Sequence, residues 1–285
     1  MNKIQQACVL GAGTMGHGVA HALAVAGIHT RLYDVDQRFA EKGLAAIRGN
    51  LDKGVEKGKV THDARTAALA RLEATSDFDA AIQGALLVVE AVPEKLDLKC
   101  ALFARMSQSL GPDVLLASNT SSLPITKIAA ASAYPERVVG MHFFNPVHLM
   151  KLVEVVRAEQ SSELAVRTAL ALGVRMGKDP IDVRDAPGFA SSRLGICIGL
   201  EAMRMLETGV ASAEDIDKAM VLGYGFPMGP LKLSDLVGLD VRLGIAEHLA
   251  RELGPRFEPP RMLRDMVAAG KLGKKSGQGF YTWPA

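Results

Sequence analysis

The stretch VLGAGTMG near the N-terminus constrains the fold of this chain more than any other feature. Its G-x-G-x-x-G spacing joins an apolar strand pattern, QACVLG, to an Ala-rich helical pattern, MGHGVAHALAVAG. In such a unit Gly11 permits a tight turn, Gly13 lets the backbone approach a pyrophosphate, and Gly16 lets helix and strand pack closely. Thr14 and Met15 follow at the start of the helix, where free N–H groups face the anion. The pattern predicts a dinucleotide-binding βαβ unit formed by these residues.

A carboxylate at the end of the second strand pattern narrows the choice of dinucleotide. Asp34 lies in RLYDVD, about 20 residues after the glycines, where a carboxylate binds the ribose hydroxyls. The same carboxylate would repel a 2′-phosphate. The sequence therefore predicts NAD rather than NADP as the cofactor.

Two histidines on the helix after the loop raise the question of a metal. His17 and His21 are four residues apart, a spacing that can bind a metal ion. The sequence offers no evident third ligand. Ordinary helix positions are therefore favoured, and no metal is predicted.

Strand and helix patterns alternate along the first two-thirds of the 285 residues and then stop. The candidate strands are QACVLG, HTRLYDV, ALLVVEAV, DVLLASN, RVVGMHFF and KLVEVV, separated by helical patterns. Such alternation predicts an α/β fold, a Rossmann-type, mostly parallel sheet covered by helices. After DPIDVRDAPGF only helical patterns follow until the end of the chain, and Pro187 and Gly188 punctuate the join. We expect an NAD-binding domain over 1–184 and a smaller all-α domain over 185–285.

Composition limits the functional classes. Apolar residues make up 48% of the chain and the net charge is +2, which is a globular composition and argues against a nucleic-acid-binding protein. Three widely spaced cysteines are typical of a reducing compartment. The N-terminus has no secretory apolar region, and no apolar run reaches membrane-spanning length. We expect a soluble, cytoplasmic protein.

Two ionisable residues stand in an otherwise apolar segment, VVGMHFFNPVHLMKLVEVV. His142 and Glu154 lie on consecutive strand patterns, and the turn NPVHLM could bring them into contact. Oxidation of an alcohol by NAD needs a base, and a carboxylate bonded to the other ring nitrogen fixes the tautomer of a histidine. A structural histidine bonded to the backbone and a glutamate at a strand edge is the competing interpretation. His148 is a second candidate base, but it lies in the turn.

Several long motifs, in the same order, resemble those of the L-3-hydroxyacyl-CoA dehydrogenases, and the short bacterial 3-hydroxybutyryl-CoA enzymes most closely. They are ASNTSSL, HFFNPVHLMKLVEVV, DAPGF, GYGFPMGPLKLSDLVGLD and GKKSGQGFY, and the resemblance spans essentially the whole chain. It implies reversible, NAD-linked oxidation of an L-3-hydroxyacyl-CoA to the 3-ketoacyl-CoA. His142 would be the general base and Glu154 its orienting partner.

The resemblance also implies further contacts around the reacting atoms. Ser121 matches a serine that hydrogen-bonds the 3-oxygen of the substrate, although NTSSLP is equally good capping sequence for the following helix. The residues that match cofactor contacts are Glu94, Lys99, Asn119, Asn145 and Lys275. Without the resemblance, Lys99 and Lys275 would be interpreted as solvated surface charges.

A basic stretch, NLDKGVEKGKV, matches the part of the family that holds coenzyme A. Lys57 falls where the family has a lysine on the coenzyme A moiety, and Asn50 where it has a small polar residue. An ammonium suits this place because coenzyme A carries several phosphate charges. A charged helix face is the competing interpretation, and it is favoured for Lys53 and Lys59.

One position departs from the family pattern. The family usually reads P-G-F-x-x-N-R at the entrance to the helical domain, whereas this chain reads PGFASSR, so Ser192 replaces the asparagine that points into the site. A hydroxyl is shorter and has fewer hydrogen-bonding sites than a carboxamide. Ser192 is therefore expected to affect the rate and the acyl preference, not the type of reaction.

The helix pattern ASSRLGICIGLEAMRMLETG is apolar on more than one face, which predicts burial on several sides. Small residues at Ser191, Gly195 and Gly199 would let another helix approach closely. A core helix of its own domain is one interpretation. The resemblance implies a homodimer formed through this domain, with the acyl chain in the cleft between the domains.

Three alternatives remain open at this stage. The motifs do not distinguish a 3-hydroxyadipyl-CoA dehydrogenase from a 3-hydroxybutyryl-CoA dehydrogenase. A sugar-acid dehydrogenase of the related crystallin-like branch would share the glycine loop and HFFNP but would not need Lys57. An NAD-binding redox sensor without catalysis would need neither Ser121 nor the His142–Glu154 pair.

Overall fold

The computed structural model describes residues 4–284, and it divides the chain into two compact units. The first ends at Ala186 and the second begins at Pro187, two residues beyond the join expected from the sequence. Each unit has its own hydrophobic core. None of the helices in the described part of the chain is both long enough and apolar enough to cross a membrane.

A single sheet of eight strands forms the centre of the N-terminal unit, in the order β3-β2-β1-β4-β5-β6-β7-β8. All neighbours are parallel except β6 and β7, which confirms the predicted, mostly parallel architecture. The strands are β1 Gln6–Leu10, β2 His29–Tyr33, β3 Leu72–Thr75, β4 Leu87–Glu90, β5 Leu115–Ser118, β6 Val138–Phe143, β7 Leu152–Arg157 and β8 Asp179–Arg184.

Seven helices connect these strands, and a main core cluster joins the inward side chains of the sheet to α1, α2, α3 and α7. The central strands β1, β4, β5 and β6 are almost completely buried, as is typical of a parallel sheet covered by helices. The helices are α1 Thr14–Val25, α2 Gln37–Glu56, α3 His62–Leu69, α4 Phe78–Ile82, α5 Leu96–Ser109, α6 Ile125–Ala130 and α7 Glu163–Arg175.

Two strands of the sheet have no counterpart among the strand patterns of the sequence. Strand β3 has only four residues, LEAT, and none of them is fully buried. Strand β8, DPIDVR, is polar at most positions and contains Pro180. Both are edge strands, which need no continuous apolar run, and an edge is where a sheet tolerates proline.

The C-terminal unit is helical, and its core is built from apolar residues of every helix in it. Its helices are α8 Ser191–Glu207, α9 Ala213–Tyr224, α10 Pro230–Val237, α11 Leu239–Leu253 and α12 Arg261–Ala268. The pattern LSDLVGLDVRLGIAEHLARELG, which reads as one helix, forms α10 and α11. Gly238 separates them because its φ of 106° lies in a region that only glycine adopts easily.

Helix α8 differs from the expectation of burial on several sides. Its buried residues form one face, whereas Leu194 is 63% exposed and Cys197 is also exposed. The predicted close approach of a second helix does occur at Gly199, where an added Cβ would lie 3.3 Å from Oγ of Ser234 on α10. Within one chain, the outer face of α8 therefore keeps its apolar side chains in solvent.

Candidate active site

The predicted site residues of the N-terminal unit gather at the carboxyl edge of the sheet. The glycine loop follows β1, Asp34 follows β2, and the loop that contains Ser121 follows β5. The strand order reverses between β1 and β4, since β2 and β3 continue the sheet on one side and β4 to β6 on the other. Crevices outside the carboxyl ends of strands at such a switch point are where open α/β sheets bind ligands.

The glycine loop has the shape that a bound pyrophosphate requires. Gly11 has a φ of 100°, and a Cβ there would lie 2.5 Å from the carbonyl oxygen of Ala91. A Cβ on Gly16 would lie 1.7 Å from the carbonyl oxygen of Gly11, so only glycine permits this packing of loop and helix. Around Gly13, by contrast, nothing lies within 4 Å of an added Cβ. The loop leaves space where a phosphate approaches the N–H groups of Thr14 and Met15.

Asp34 is tied directly to this loop. Its Oδ2 accepts a hydrogen bond of 2.8 Å from the backbone N–H of Ala12, and its Oδ1 accepts one of 2.8 Å from Val35. A carboxylate oxygen has a second lone pair, so both oxygens can still accept from ribose hydroxyls. The residues present therefore suit NAD.

His142 and Glu154 are in contact, which the turn between their strands had made one of two interpretations. The two residues are direct partners in the antiparallel pairing of β6 and β7, and Nδ1 of His142 lies 2.7 Å from Oε2 of Glu154. The histidine is 7% exposed and the glutamate is fully buried. A buried carboxylate at this distance from Nδ1 fixes the orientation of the imidazole ring.

A buried ionic network, which the sequence did not indicate, lies at the ends of β4 and β5. The fully buried carboxylate of Glu90 accepts hydrogen bonds from Nζ of Lys99 at 2.6 Å, from Oγ of Ser118 at 2.6 Å and from the N–H of Val92 at 2.7 Å. A glutamate that ends the apolar run ALLVV was the available signal, since a charge on a buried strand needs partners.

Lys99 connects this network to the loop of Ser121. Its ammonium also lies 3.2 Å from Oε2 of Glu94 and 3.3 Å from the carbonyl oxygen of Val92. Glu94 in turn accepts hydrogen bonds from the hydroxyl of Thr120 and, at 3.0 Å, from the N–H of Ser121. The chain of contacts therefore runs from the interior of the sheet to the backbone of Ser121.

The position of Lys99 corrects one interpretation of the sequence. It is 1% exposed, so it is not a solvated surface charge. Its ammonium lies within reach of acceptors in Glu90, Val92 and Glu94. Glu94 itself is exposed and accessible to a ligand.

The remaining predicted site residues are distributed over both units. Asn119 follows β5 and accepts a hydrogen bond of 3.0 Å from the N–H of Phe143, which fixes the end of the strand that carries His142. Asn145 is exposed just after β6. In the C-terminal unit, Ser192 is half-buried in the first turn of α8, and Nζ of Lys275 lies 2.6 Å from Oδ2 of Asp240. That contact lowers the pKa of Asp240.

The predicted coenzyme A residues border one large cavity of the N-terminal unit, which has a volume of about 690 Å³. Asn50, Lys53, Lys57 and Lys59 all line it, together with apolar residues of α1, α2 and α3. Lys53 and Lys59, for which a solvated helix face was favoured, therefore share the cavity with Lys57. A positive cavity of this size is large enough for a sizeable anionic ligand.

The sheet that carries the dinucleotide loop therefore also carries a buried contact between a histidine and a glutamate. Two sequence models of known domains match the chain: the NAD-binding domain of 3-hydroxyacyl-CoA dehydrogenase over residues 6–186 and the C-terminal domain of the same enzymes over residues 188–283. The chain belongs to the 3-hydroxyacyl-CoA dehydrogenase family. This finding confirms the resemblance and the prediction of NAD as cofactor.

Individual relatives are similar over essentially the whole of this chain. A probable 3-hydroxybutyryl-CoA dehydrogenase of Bacillus subtilis is 44% identical, with 99% of this chain and 98% of the relative covered. The 3-hydroxyadipyl-CoA dehydrogenase of Escherichia coli is 40% identical over 100% of this chain and 60% of its own length. The crystal structure of (S)-3-hydroxybutyryl-CoA dehydrogenase PaaH1 from Ralstonia eutropha superposes with a TM-score of 0.96 at 40% identity, covering 99% of this chain and 100% of that one.

Replacing Asp34 by asparagine should relax the preference for NAD over NADP. The carboxamide oxygen can still accept from the N–H of Ala12, so the loop keeps its contact while the negative charge is lost. We expect the ratio of kcat/KM for NADH to that for NADPH to fall by at least about tenfold, the equivalent of 1.4 kcal/mol. Steady-state kinetics with both cofactors measures this ratio. An unchanged ratio would exclude a role for the charge of Asp34 in choosing the cofactor.

Proposed function

We propose that the protein interconverts L-3-hydroxyacyl-CoA and 3-ketoacyl-CoA, with 3-hydroxybutyryl-CoA as the preferred substrate and His142 as the general base. The contact of 2.7 Å between His142 and Glu154 is the observation that carries this proposal. NAD supplies the acceptor for the hydride that leaves C3 of the substrate. The preference for a four-carbon chain rests on the names of the relatives.

In this proposal His142 transfers the proton and Glu154 stabilises the protonated ring. Nε2 of His142 takes the proton of the 3-hydroxyl group, while Glu154 accepts the hydrogen bond of Nδ1–H and stabilises the imidazolium that forms. Burial strengthens this stabilisation because few water molecules screen the pair. In the reverse direction the imidazolium returns the proton to the reduced 3-oxygen.

Ser121 is the proposed hydrogen-bond partner of the 3-oxygen. Its backbone N–H is held by Glu94, and Glu94 is held by Lys99, so the hydroxyl stands on a loop that the interior of the sheet fixes. Fixed donors stabilise developing charge better than mobile ones because they need no reorganisation. Ser192 is proposed to bind the substrate from the C-terminal unit, with a shorter reach than the family asparagine.

The lysine-lined cavity is proposed as the binding place of the coenzyme A moiety. Coenzyme A is a polyanion, and the cavity offers three ammonium groups, in Lys53, Lys57 and Lys59, beside the amide of Asn50. Ion pairs of this kind hold a ligand far from its reacting atoms, so they act on binding more than on the chemical step.

Replacing Lys57 by alanine should raise the KM for acetoacetyl-CoA by about tenfold with little change in kcat, as expected for loss of one charge-assisted contact to a phosphate. Steady-state kinetics over a range of acetoacetyl-CoA concentrations measures both. Lys42→Ala is the matched control, since Lys42 is exposed on α2, the helix that ends just before Lys57, but does not line the cavity. An unchanged KM in Lys57→Ala would favour a substrate without coenzyme A, such as a sugar acid.

Turnover of acetoacetyl-CoA with NADH is the direct test of the proposed function. Oxidation of NADH followed at 340 nm, the usual wavelength, should depend on both substrates. NADH binding without turnover would support a sensor instead. The 40% identity to a 3-hydroxyadipyl-CoA dehydrogenase makes that activity the second candidate. Comparing kcat/KM for a series of 3-ketoacyl-CoA esters, with and without a terminal carboxylate, decides between the two substrates.

A homodimer formed through the C-terminal unit is proposed as the assembly, in the cytoplasm. Large apolar side chains remain exposed on its helices, at Leu194 of α8, Leu222 and Tyr224 of α9, and Leu236 and Val237 of α10. Exposed apolar groups of this size are typical of surfaces that a partner covers. Free cysteines at Cys8, Cys100 and Cys197 are consistent with a reducing compartment.

A further inference from the structure

Two stacked histidines form part of the wall of the lysine-lined cavity, and the proposed mechanism does not use them. His21 lies on α1 and His148 lies in the connection between β6 and β7. Their ring centroids are 5.3 Å apart and the ring planes differ by 6°. Both residues line the cavity together with Lys53, Lys57 and Lys59. The stack therefore borders the space that is proposed to hold coenzyme A.

Basic side chains lie near this stack on several elements of the N-terminal unit. His17 lies one turn before His21 on α1, and Lys178 lies just before β8, where its ammonium donates to the carbonyl oxygens of Val147 and, at 2.8 Å, Met150. Further cations line the cavity on the side of α2 and α3, namely the three lysines and Arg71. No carboxylate lines the cavity within the described residues.

This environment lowers the pKa of both imidazole rings. Burial, and then the charges of His148, His17 and Lys178, lower the pKa of His21 to about 4. Burial and the charges of Lys178 and His17 also lower the pKa of His148. The two residues differ in access, since His21 is buried with no hydrogen-bond partner for Nδ1 among the described residues, whereas His148 is half-exposed. His148 is the member of the stack that a ligand can reach.

We propose that His148 is a protonatable recognition residue for the coenzyme A moiety, neutral in the free protein and converted to the imidazolium when a coenzyme A ester occupies the cavity. The inference rests on the proposed function, because it takes the polyanion to be the ligand of this cavity. Phosphate groups reverse the local charge balance, which favours the charged form of a nearby imidazole. His21 stays neutral beneath it because it is buried, so the stack takes up one proton at most.

The direction in which pH changes the affinity for coenzyme A follows from the coupling between proton binding and ligand binding. A ligand that raises the pKa of His148 binds more tightly when the proton is available, so affinity is highest at low pH and falls as the pH rises through the pKa of the complex. If binding raises the pKa of His148 by one unit, the affinity for coenzyme A differs tenfold between a pH below both pKa values and a pH above both. We therefore expect coenzyme A to bind about tenfold more weakly at pH 8.5 than at pH 6, beyond any change that comes from the ligand itself.

Calorimetric titration of the full-length protein with coenzyme A, in buffers of different ionisation enthalpy at pH 7, measures the proton uptake directly. The wild type should take up a fraction of a proton, and His148→Asn, which keeps a polar side chain but cannot titrate, should lose that fraction. Coenzyme A has a titrating 3′-phosphate of its own, with a pKa near 6. The difference between the two proteins cancels that contribution. Pantetheine, which lacks the phosphates, should cause no uptake in either protein.

His29→Asn is the matched control, because His29 is exposed on β2 and does not line the cavity. It should behave as the wild type. Binding of coenzyme A with equal proton uptake in the wild type and in His148→Asn would overturn the inference and leave the proposed function intact. Failure of coenzyme A to bind the wild type would instead overturn both. The NMR shift of the His148 ring, followed against pH with and without coenzyme A, should show the raised pKa in the complex only.

Discussion

Replacing His142 by glutamine is expected to lower kcat for acetoacetyl-CoA reduction by about 10²–10⁴-fold, the usual contribution of a positioned acid–base group. Glutamine has a similar length and can donate a hydrogen bond to Glu154, so the buried carboxylate keeps a partner. The variant cannot exchange a proton at the 3-oxygen. Stopped-flow measurement of a single turnover separates this chemical step from binding and product release.

Affinity for NADH should barely change in the same variant, since the glycine loop and Asp34 follow other strands. Cofactor fluorescence on titration measures it, and thermal unfolding confirms that the variant is folded. Glu154→Gln is the companion variant: it keeps the contact but removes the charge that stabilises the imidazolium, so it should also lose activity. A kcat within a few-fold of the wild type in His142→Gln would exclude His142 as the base.

Replacing Lys99 by methionine is expected to lower the free energy of unfolding by about 3–5 kcal/mol, because it leaves the fully buried charge of Glu90 without its cation. The loop of Ser121 should also become less ordered, since Glu94 loses the ammonium that holds it. We therefore expect a loss of activity in the fraction that remains folded. Urea unfolding followed by circular dichroism measures the free energy.

Lys95→Met is the matched control, because Lys95 is exposed four residues away and its replacement should change the free energy of unfolding by no more than about 0.5 kcal/mol. The double variant Lys99→Met, Glu90→Gln removes both charges and should recover part of the lost stability. Equal stabilities of Lys99→Met and Lys95→Met would contradict the assignment of Lys99 to a buried network.

The sequence predicted the parts of the fold that depend on local patterns. The glycine loop, the central strands and α8 are recognisable because apolar runs and glycine spacing are local properties. The edge strands β3 and β8 were missed because they are stabilised by neighbouring strands rather than by burial of their own side chains. Gly238 lies inside a continuous helical pattern, and a single glycine in such a pattern does not reveal its φ.

The contact between His142 and Glu154 was one of two interpretations of the sequence, because a short turn joins the strands that carry them. The register of the antiparallel pairing, which makes them direct partners, cannot be predicted from the sequence of either strand alone. Lys99 could not be placed, because its partners Glu90 and Glu94 surround it only after α5 packs beside β4. The stacking of His21 on His148 could not be predicted, because the two residues are 127 positions apart in the sequence and no local pattern links them.

Strand β8 has a consequence for how the folded chain behaves at high concentration. As the last strand of the sheet it presents one side of its backbone to solvent, which is a template for association with another chain. Pro180 removes a backbone donor from this strand, and charges stand at Asp179, Asp182 and Arg184. An incoming strand would have to bury these charges and forgo a hydrogen bond. The polar sequence of β8, which gave no recognisable strand pattern, thus protects the sheet against edge-to-edge aggregation.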